Sequence, residues 1–194
     1  MKSSYTCADA VELFASVGKP WWVAGGWALD LFLGEQTRPH DDLDLVVLRH
    51  DIDAFRDHLE GWDLWVGLGN DQLEDHPLTP KSPFSAHREV LWCRPSPAAP
   101  WAFELLLTPS DKGDWIFKRD PAIRRPISEI GGVSPDGVPY LRPEIILLFK
   151  ANNLRDKDQT DAATVLPRLD APATQWLRTA LEHVHPGHEW LNDL

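Results

Sequence analysis

Cysteine is scarce in this chain: Cys7 and Cys93 are the only two in 194 residues. They form no CxxC spacing and no disulfide-dense framework, which excludes a small secreted scaffold held by cross-links and points to a reducing compartment. Long apolar runs are also missing. No stretch approaches the ~18 residues needed to span a bilayer, and MKSSYTCADAVELF carries acids where a signal peptide would carry an uninterrupted apolar segment. A cytoplasmic protein with no membrane association is expected. Basic excess is lacking as well, with a net charge of −11 and a pI near 5.1. That balance works against non-specific adhesion to nucleic acid or an anionic membrane. Eight histidines are scattered without HxxxH spacing, so a zinc site is not expected. Repeats and low-complexity tracts are absent.

What is present is ordinary for a globular chain, 43% hydrophobic and 25% charged, which rules out wholesale disorder. The length suits one large domain or a domain with an appendage, and the second is favoured. Thr6 or Ser4 caps a helix in which Cys7, Ala10, Val11, Phe14 and Val17 recur at helical spacing. WWVA, between Pro20 and a glycine pair, reads as a buried strand. Trp27 to Leu33 gives two helical turns closed by Gly34. Leu43 to Leu48 supplies a second buried strand, and Asp51 to Leu59 a helix. Strands are expected at Asp63 to Val66 and Glu89 to Cys93, separated by a polar, proline-bearing loop. WAFELLLT alternates Trp101, Phe103, Leu105 and Leu107 against Ala102, Glu104 and Leu106. DWIFKRD, AIRRPI and GVPYL read as short strands or extended arms. Helices then take over: one from Pro143, one from Asp158 and one over Ala173 to Val184.

The chain is organised around WWVAGGWALDLFLGEQTRPHDDLDLVVL, residues 21–48. A glycine pair between a buried strand and a helix lets phosphate oxygens approach the backbone, and the helix N-terminus offers free N–H groups. Alone, the same pair is far more often a plain tight turn. Asp42 and Asp44 stand two apart, so on a strand both carboxylates leave one face. Glu104 lies within an otherwise apolar strand, where an unpartnered charge is costly. Three oxygen donors beside a triphosphate suit Mg²⁺, which takes few carboxylates plus water and phosphate ligands, and would support in-line phosphoryl-group transfer. The plainer readings are a solvated strand start for Asp42 and Asp44 and an outward-facing edge residue for Glu104.

GGWALDLFLGEQTRPHDDLDL resembles the nucleotidyltransferases of the DNA polymerase β superfamily, most closely the small aminoglycoside and lincosamide nucleotidyltransferase group. Gly25 and Gly26 match the superfamily's turn, Asp42 and Asp44 its metal-binding pair, and Glu104 its third carboxylate on a later strand. Asp30, Gly34, Thr37, Arg38 and His40 extend the match. Lys150 and the K-D-x-x-D segment of Lys157, Asp158 and Asp161 resemble the group's helical region. Residues 70–100 carry no such motif.

The resemblance implies an α+β fold: a polymerase-β-like mixed sheet with flanking helices over residues 1–120, then a small, mainly helical C-terminal domain over 121–194 completing the cleft. It implies a Mg²⁺-dependent transfer of a nucleoside monophosphate, AMP from ATP, to a hydroxyl of a small acceptor, with pyrophosphate released. An aminoglycoside-type acceptor fits the acidic net charge, and a lincosamide or another small hydroxylated metabolite fits nearly as well. Asp42, Asp44 and Glu104 are the implied catalytic and metal-binding set, with Glu104 either a ligand or the base. Gly25, Gly26, Arg38, His40 and Lys150 are the implied nucleotide-binding set. Each has a rival role: a salt bridge from Arg38 to Asp41 or Asp30, a solvated helix face for Lys150, and for His40 either orientation of Asp42 or Asp44 or a cap on the loop. Asp71, Glu74, Asp75 and Glu89 are candidate contacts for a polyamine acceptor or a solvated loop. Two other functions stay open: transfer to RNA or protein, as in nucleotidyltransferase toxins, which needs Arg119, Arg124 and Arg125 to cluster; and a non-catalytic, antitoxin-like binding protein, against which the intact acids argue.

Overall fold

The computed structural model describes residues 3–69, 72–79, 84, 88–152 and 154–194. An eight-stranded mixed sheet carries the molecule, with helices packed on it and a three-stranded sheet alongside. The first helix, α1 (Cys7–Phe14), begins where Thr6 accepts from the Asp9 backbone and Asp9 returns the bond to the Thr6 backbone. This capping box satisfies donors that the first turn leaves open. It buries Ala10 and Phe14. Next come β1 (Trp21–Val23), α2 (Gly25–Leu33), β2 (Asp44–Leu48) and α3 (Ile52–His58). They are followed by β3 (Asp63–Gly69), β4 (Gln72–Leu73), β5 (Val90–Arg94) and β6 (Phe103–Thr108). The small sheet is formed by β7 (Ser110–Asp111), β8 (Asp114–Ile116) and β9 (Arg124–Pro126). Then β10 (Gly131–Val133) and β11 (Pro139–Leu141) lead to α4 (Pro143–Lys150), α5 (Asp156–Val165) and α6 (Ala171–Val184).

In the large sheet the strands run in the order β10, β11, β1, β2, β6, β5, β3, β4. The central pair, β2 and β6, is parallel, with β1 antiparallel to β2 and β5 antiparallel to β6. Leu45, Val47, Phe103, Leu105 and Leu107 are buried, so one side of the centre is core, as the alternation in FELLLT predicts. The other side carries Asp44 and Glu104, directly paired across the parallel ladder. Paired residues project to the same face, which fixes where the chemistry sits.

Past residue 120 the main sheet continues: β11 pairs in parallel with β1, and β10 pairs with β11. The part from 121 onward therefore supplies strands to the large sheet, and the run of helices begins at Pro143, the first residue of α4. The reason is local, since three-residue strands are too short to show a period in the sequence. Helix α5 starts at Asp156, two residues before the predicted Asp158, and α6 at Ala171, capped by Asp170. Among the described residues no helix is long and apolar enough to cross a membrane.

Candidate active site

The glycine turn starts the site. Gly25 opens α2 with φ +61°, and a Cβ there would lie 2.5 Å from Asp44 Oδ2. The turn thus needs glycine twice over, for its left-handed backbone and for the close approach of a carboxylate. At Gly26 a Cβ would overlap the His40 ring and stand 2.7 Å from Arg38 Nη2. Helix α2 has no side-chain cap at Ala24, so its first N–H groups face the cleft without a side-chain partner. The strand beside it is tied in by a hydrogen bond of 2.8 Å from Ala24 N to the Asp44 carbonyl oxygen.

A cleft of about 970 Å³ opens over this turn. Gly25, Gly26, Asp41, Asp42 and Asp44 line it together with Lys150, Arg155, Lys157 and Asp158, and Val46, Leu106, Ile146 and Phe149 supply its apolar part. Lys118 and Arg119 stand at the β8 side. Only Asp44 of the acid pair lies on the strand; Asp42 belongs to the loop before it and is exposed. The Asp44 carboxyl is pushed up to about 7, first by burial and then by the Asp42 charge, with Lys150, Lys157 and Arg155 pulling it back. Two acids crowded in this way fit a hard divalent cation: the donors are all oxygen, few in number, and leave room for water and phosphate oxygens.

Glu104 shares the acid face through its register with Asp44, but the cleft lining on β6 begins at Leu106. Among the described residues no group of three His, Cys, Asp or Glu side chains is placed to hold a metal ion. The structure places Asp42 and Asp44 in the cleft and Glu104 beside Asp44 on the neighbouring strand.

The cations of the cleft belong to an ion-pair chain. Arg38 meets Asp161 through two bonds, Nε to Oδ1 at 2.8 Å and Nη2 to Oδ2 at 2.9 Å. Lys150 Nζ bridges Asp158 at 2.7 Å and Asp161 at 2.9 Å, and Arg155 Nε reaches Asp158 at 2.7 Å. Burial works to raise both aspartates, but these bonds outweigh it and hold Asp158 and Asp161 below the usual carboxylate range. Arg38 thus pairs with neither Asp41 nor Asp30; its partner lies 123 residues away. Lys150, 9% exposed, is no solvated helix residue. It lines the cleft together with Arg38.

His40 does not hydrogen-bond Asp42 or Asp44. Its Nε2 pairs with Asp30, and its side chain is only 2% exposed. Asp30 also accepts from Thr37 N at 3.1 Å and Thr37 Oγ1 at 2.6 Å. This buried acid was not among the expected site residues; an aspartate at an inward position of an apolar helix was the available signal. Of the acids offered for a polyamine, Glu74 pairs with Arg88 and Glu89 with Lys118, Asp75 is exposed, and Asp71 lies outside the described residues. Arg119, Arg124 and Arg125 are each engaged by a separate partner: Arg125 by buried Glu144, Arg124 by Asp111 and Arg119 by the Phe149 carbonyl.

Residues 7–65, which contain the turn and the acid pair, match the family described as aminoglycoside-2''-adenylyltransferase. Over 45 residues the chain is 44% identical to a 2''-aminoglycoside nucleotidyltransferase of Escherichia coli and, at the same identity, to one of Klebsiella pneumoniae. That alignment covers 22% of this chain and spans about a quarter, 25%, of each curated relative. Over nearly the whole chain the fold is similar to that of ANT(2'')-Ia in its crystal structure with adenylyl-2''-tobramycin, at TM-score 0.56 and 15% identity, covering 89% of this chain and 92% of the other. The lincosamide antibiotic adenylyltransferase LnuA, lincomycin-bound, gives TM-score 0.54 and 16% identity, covering 93% and 99%. An antigenic nucleotidyltransferase-like protein from Paracoccidioides brasiliensis gives 0.51 and 18%, covering 99% and 93%. The fold is thus an α+β nucleotidyltransferase fold. Within that class the chain is similar to the aminoglycoside and lincosamide nucleotidyltransferase group, by sequence in its first third and by fold over most of its length.

Proposed function

We propose that this protein transfers a nucleoside monophosphate, AMP from ATP, to a hydroxyl of a small antibiotic-like acceptor. The observation that carries the reading is the meeting, in one cleft, of Asp42, Asp44 and the glycine turn with the cations Lys150, Arg155 and Lys157. The turn admits a phosphate close to the backbone, and the uncapped start of α2 favours negative charge. Lys150, Arg155 and Lys157 face the place where a triphosphate's charge would lie, and phosphoryl transfer gains chiefly from such positioning and neutralisation.

Asp42 and Asp44 would hold Mg²⁺, which when bound neutralises the triphosphate and polarises its phosphorus. The acceptor oxygen attacks the α-phosphorus, the bond from that phosphorus to the β-phosphate's bridging oxygen breaks, and pyrophosphate departs. Glu104, in register with Asp44, serves as a further ligand or as the base that takes the hydroxyl proton. The aminoglycoside and lincosamide relatives support an acceptor of one of those two kinds.

The test is incubation of the purified protein with Mg²⁺, each nucleoside triphosphate and a panel of aminoglycosides and lincosamides, read by mass spectrometry. A single-AMP adduct with equimolar pyrophosphate is expected. Release of pyrophosphate without an adduct, or no reaction with any pair, contradicts the assignment.

A further inference from the structure

We propose that Asp30 and His40 are positioning residues: a buried clip that sets the acid pair's loop against the glycine turn. The proposal rests on the nucleotidyl-transfer reading for its kinetic consequence only. Asp30 is 5% exposed and His40's side chain 2%; His40 borders the cleft and Asp30 does not line it, so the pair acts chiefly through the groups packed on it. A carboxylate this buried is costly unless its oxygens are satisfied. Asp30 directs its side-chain bonds to one segment, accepting from Thr37 N and Thr37 Oγ1 and pairing with His40 Nε2. It sits on α2, the helix that Gly25 opens, so the loop of residues 35–41 is fastened to the helix that presents the turn.

The imidazole has a second engagement. Its Cε1 and Nδ1 lie against Gly26 so closely that no Cβ fits there, and its ring packs on Trp27 with centroids 4.7 Å apart. It is therefore held on three sides, by Asp30, Gly26 and Trp27, and acts as a spacer between turn and loop. Asp42 follows two residues later, and Asp44 is fixed at its far end by the Ala24 bond and by the Gly25 contact. Removing the ring leaves the loop held by Thr37 on Asp30, by the Arg38–Asp161 pair and by backbone bonds at Asp41 and Leu43, but takes away the spacer that sets it against the glycine turn. Transfer rates are sensitive to such displacement, with about 1 Å of misplacement costing on the order of 10²-fold.

The experiment uses the full chain carrying His40→Ala, His40→Gln, Gly26→Ala and the His40→Ala/Gly26→Ala double substitution. It has two readouts: Mn²⁺ binding followed by electron paramagnetic resonance, and kcat and KM for ATP. His40→Ala is expected to weaken Mn²⁺ binding about tenfold and lower kcat on the order of 10²-fold, with KM for ATP within about threefold and an unchanged cooperative melt. His40→Gln, whose amide N–H can still reach Asp30, is expected to recover part of both. Because the Cβ of Gly26→Ala collides with the ring, its effect is expected to be much smaller in the His40→Ala background than alone, a non-additivity that contact between the two sites requires. Unchanged Mn²⁺ binding and kcat in His40→Ala, losses that merely track the melting temperature, or independent multiplicative effects of the two substitutions overturn the clip. If the unsubstituted protein transfers nothing yet His40→Ala still weakens Mn²⁺ binding, the transfer reading fails and the clip stands.

Discussion

At the scale of single residues, Asp44 carries the clearest conflict between folding and function. An acid whose folded-state pKa is raised holds its proton more tightly folded than unfolded. Ionising it therefore costs stability as pH rises from the ordinary carboxylate value through about 7. Metal-free Asp44→Asn is accordingly predicted to melt higher than the parent at pH 8, by a few degrees at roughly 2–4 °C per kcal/mol for this size, with the gap closing as pH falls toward about 4, the ordinary carboxylate value. Calorimetry in a chelator at the two pH values checks this; a lower melting temperature at pH 8 contradicts it. Asp158 and Asp161 have the opposite sign. Their folded-state values are depressed, so their contribution is present above the ordinary carboxylate pKa and is lost as pH falls through the folded value. Asp161→Asn is predicted to lower stability at pH 7 and to flatten the acid limb of the stability profile below pH about 4, as measured by urea titration.

Among the elements, the glycine turn leaves no room for a side chain. Gly25→Ala adds a Cβ at 2.5 Å from Asp44 Oδ2 at a residue with φ +61°, where a side chain is strained by about 1 kcal/mol or more. We predict loss of transfer and of Mg²⁺-dependent thermal stabilisation together; retention of both contradicts the geometry described for the turn. Much of this element was legible in the sequence, because its signals are local: WWV is a short apolar strand, GG a turn, and DLVVL a buried strand opened by an acid. The pairing of Asp44 with Glu104 was legible only as a shared strand pattern, since register is decided by packing. The partners of Arg38 and His40 were not legible. Arg38 meets Asp161 across 123 residues, and no periodicity announces a side chain that reaches so far. His40 lies near several acids in sequence, and burial, which the sequence does not show at a loop, selected Asp30 from among them.

Over the whole molecule, the ion-pair chain ties the acid loop to the C-terminal helices. Arg38 comes from the loop, Lys150 from α4 and the two aspartates from α5. The cleft is thus held by charges that are largely buried, and removing one partner leaves the others exposed to an unfavourable environment. Lys150→Met is predicted to destabilise the fold by about 3–5 kcal/mol and to weaken ATP binding, read by denaturant unfolding and calorimetric titration. A stability change within about 0.5 kcal/mol, the range of an ordinary surface substitution, contradicts the role given to this chain. The net charge of −11 coexists with a cleft lined by these cations, so global charge says little about what the cleft binds.

The most direct test of the account compares transfer of labelled AMP from α-labelled ATP to an accepted antibiotic by the parent and by Asp44→Asn, under saturating Mg²⁺ and with folding verified by melting. The account predicts labelled acceptor and pyrophosphate from the parent and none above background from Asp44→Asn, which remains folded. Transfer by folded Asp44→Asn at the parent's rate would contradict it.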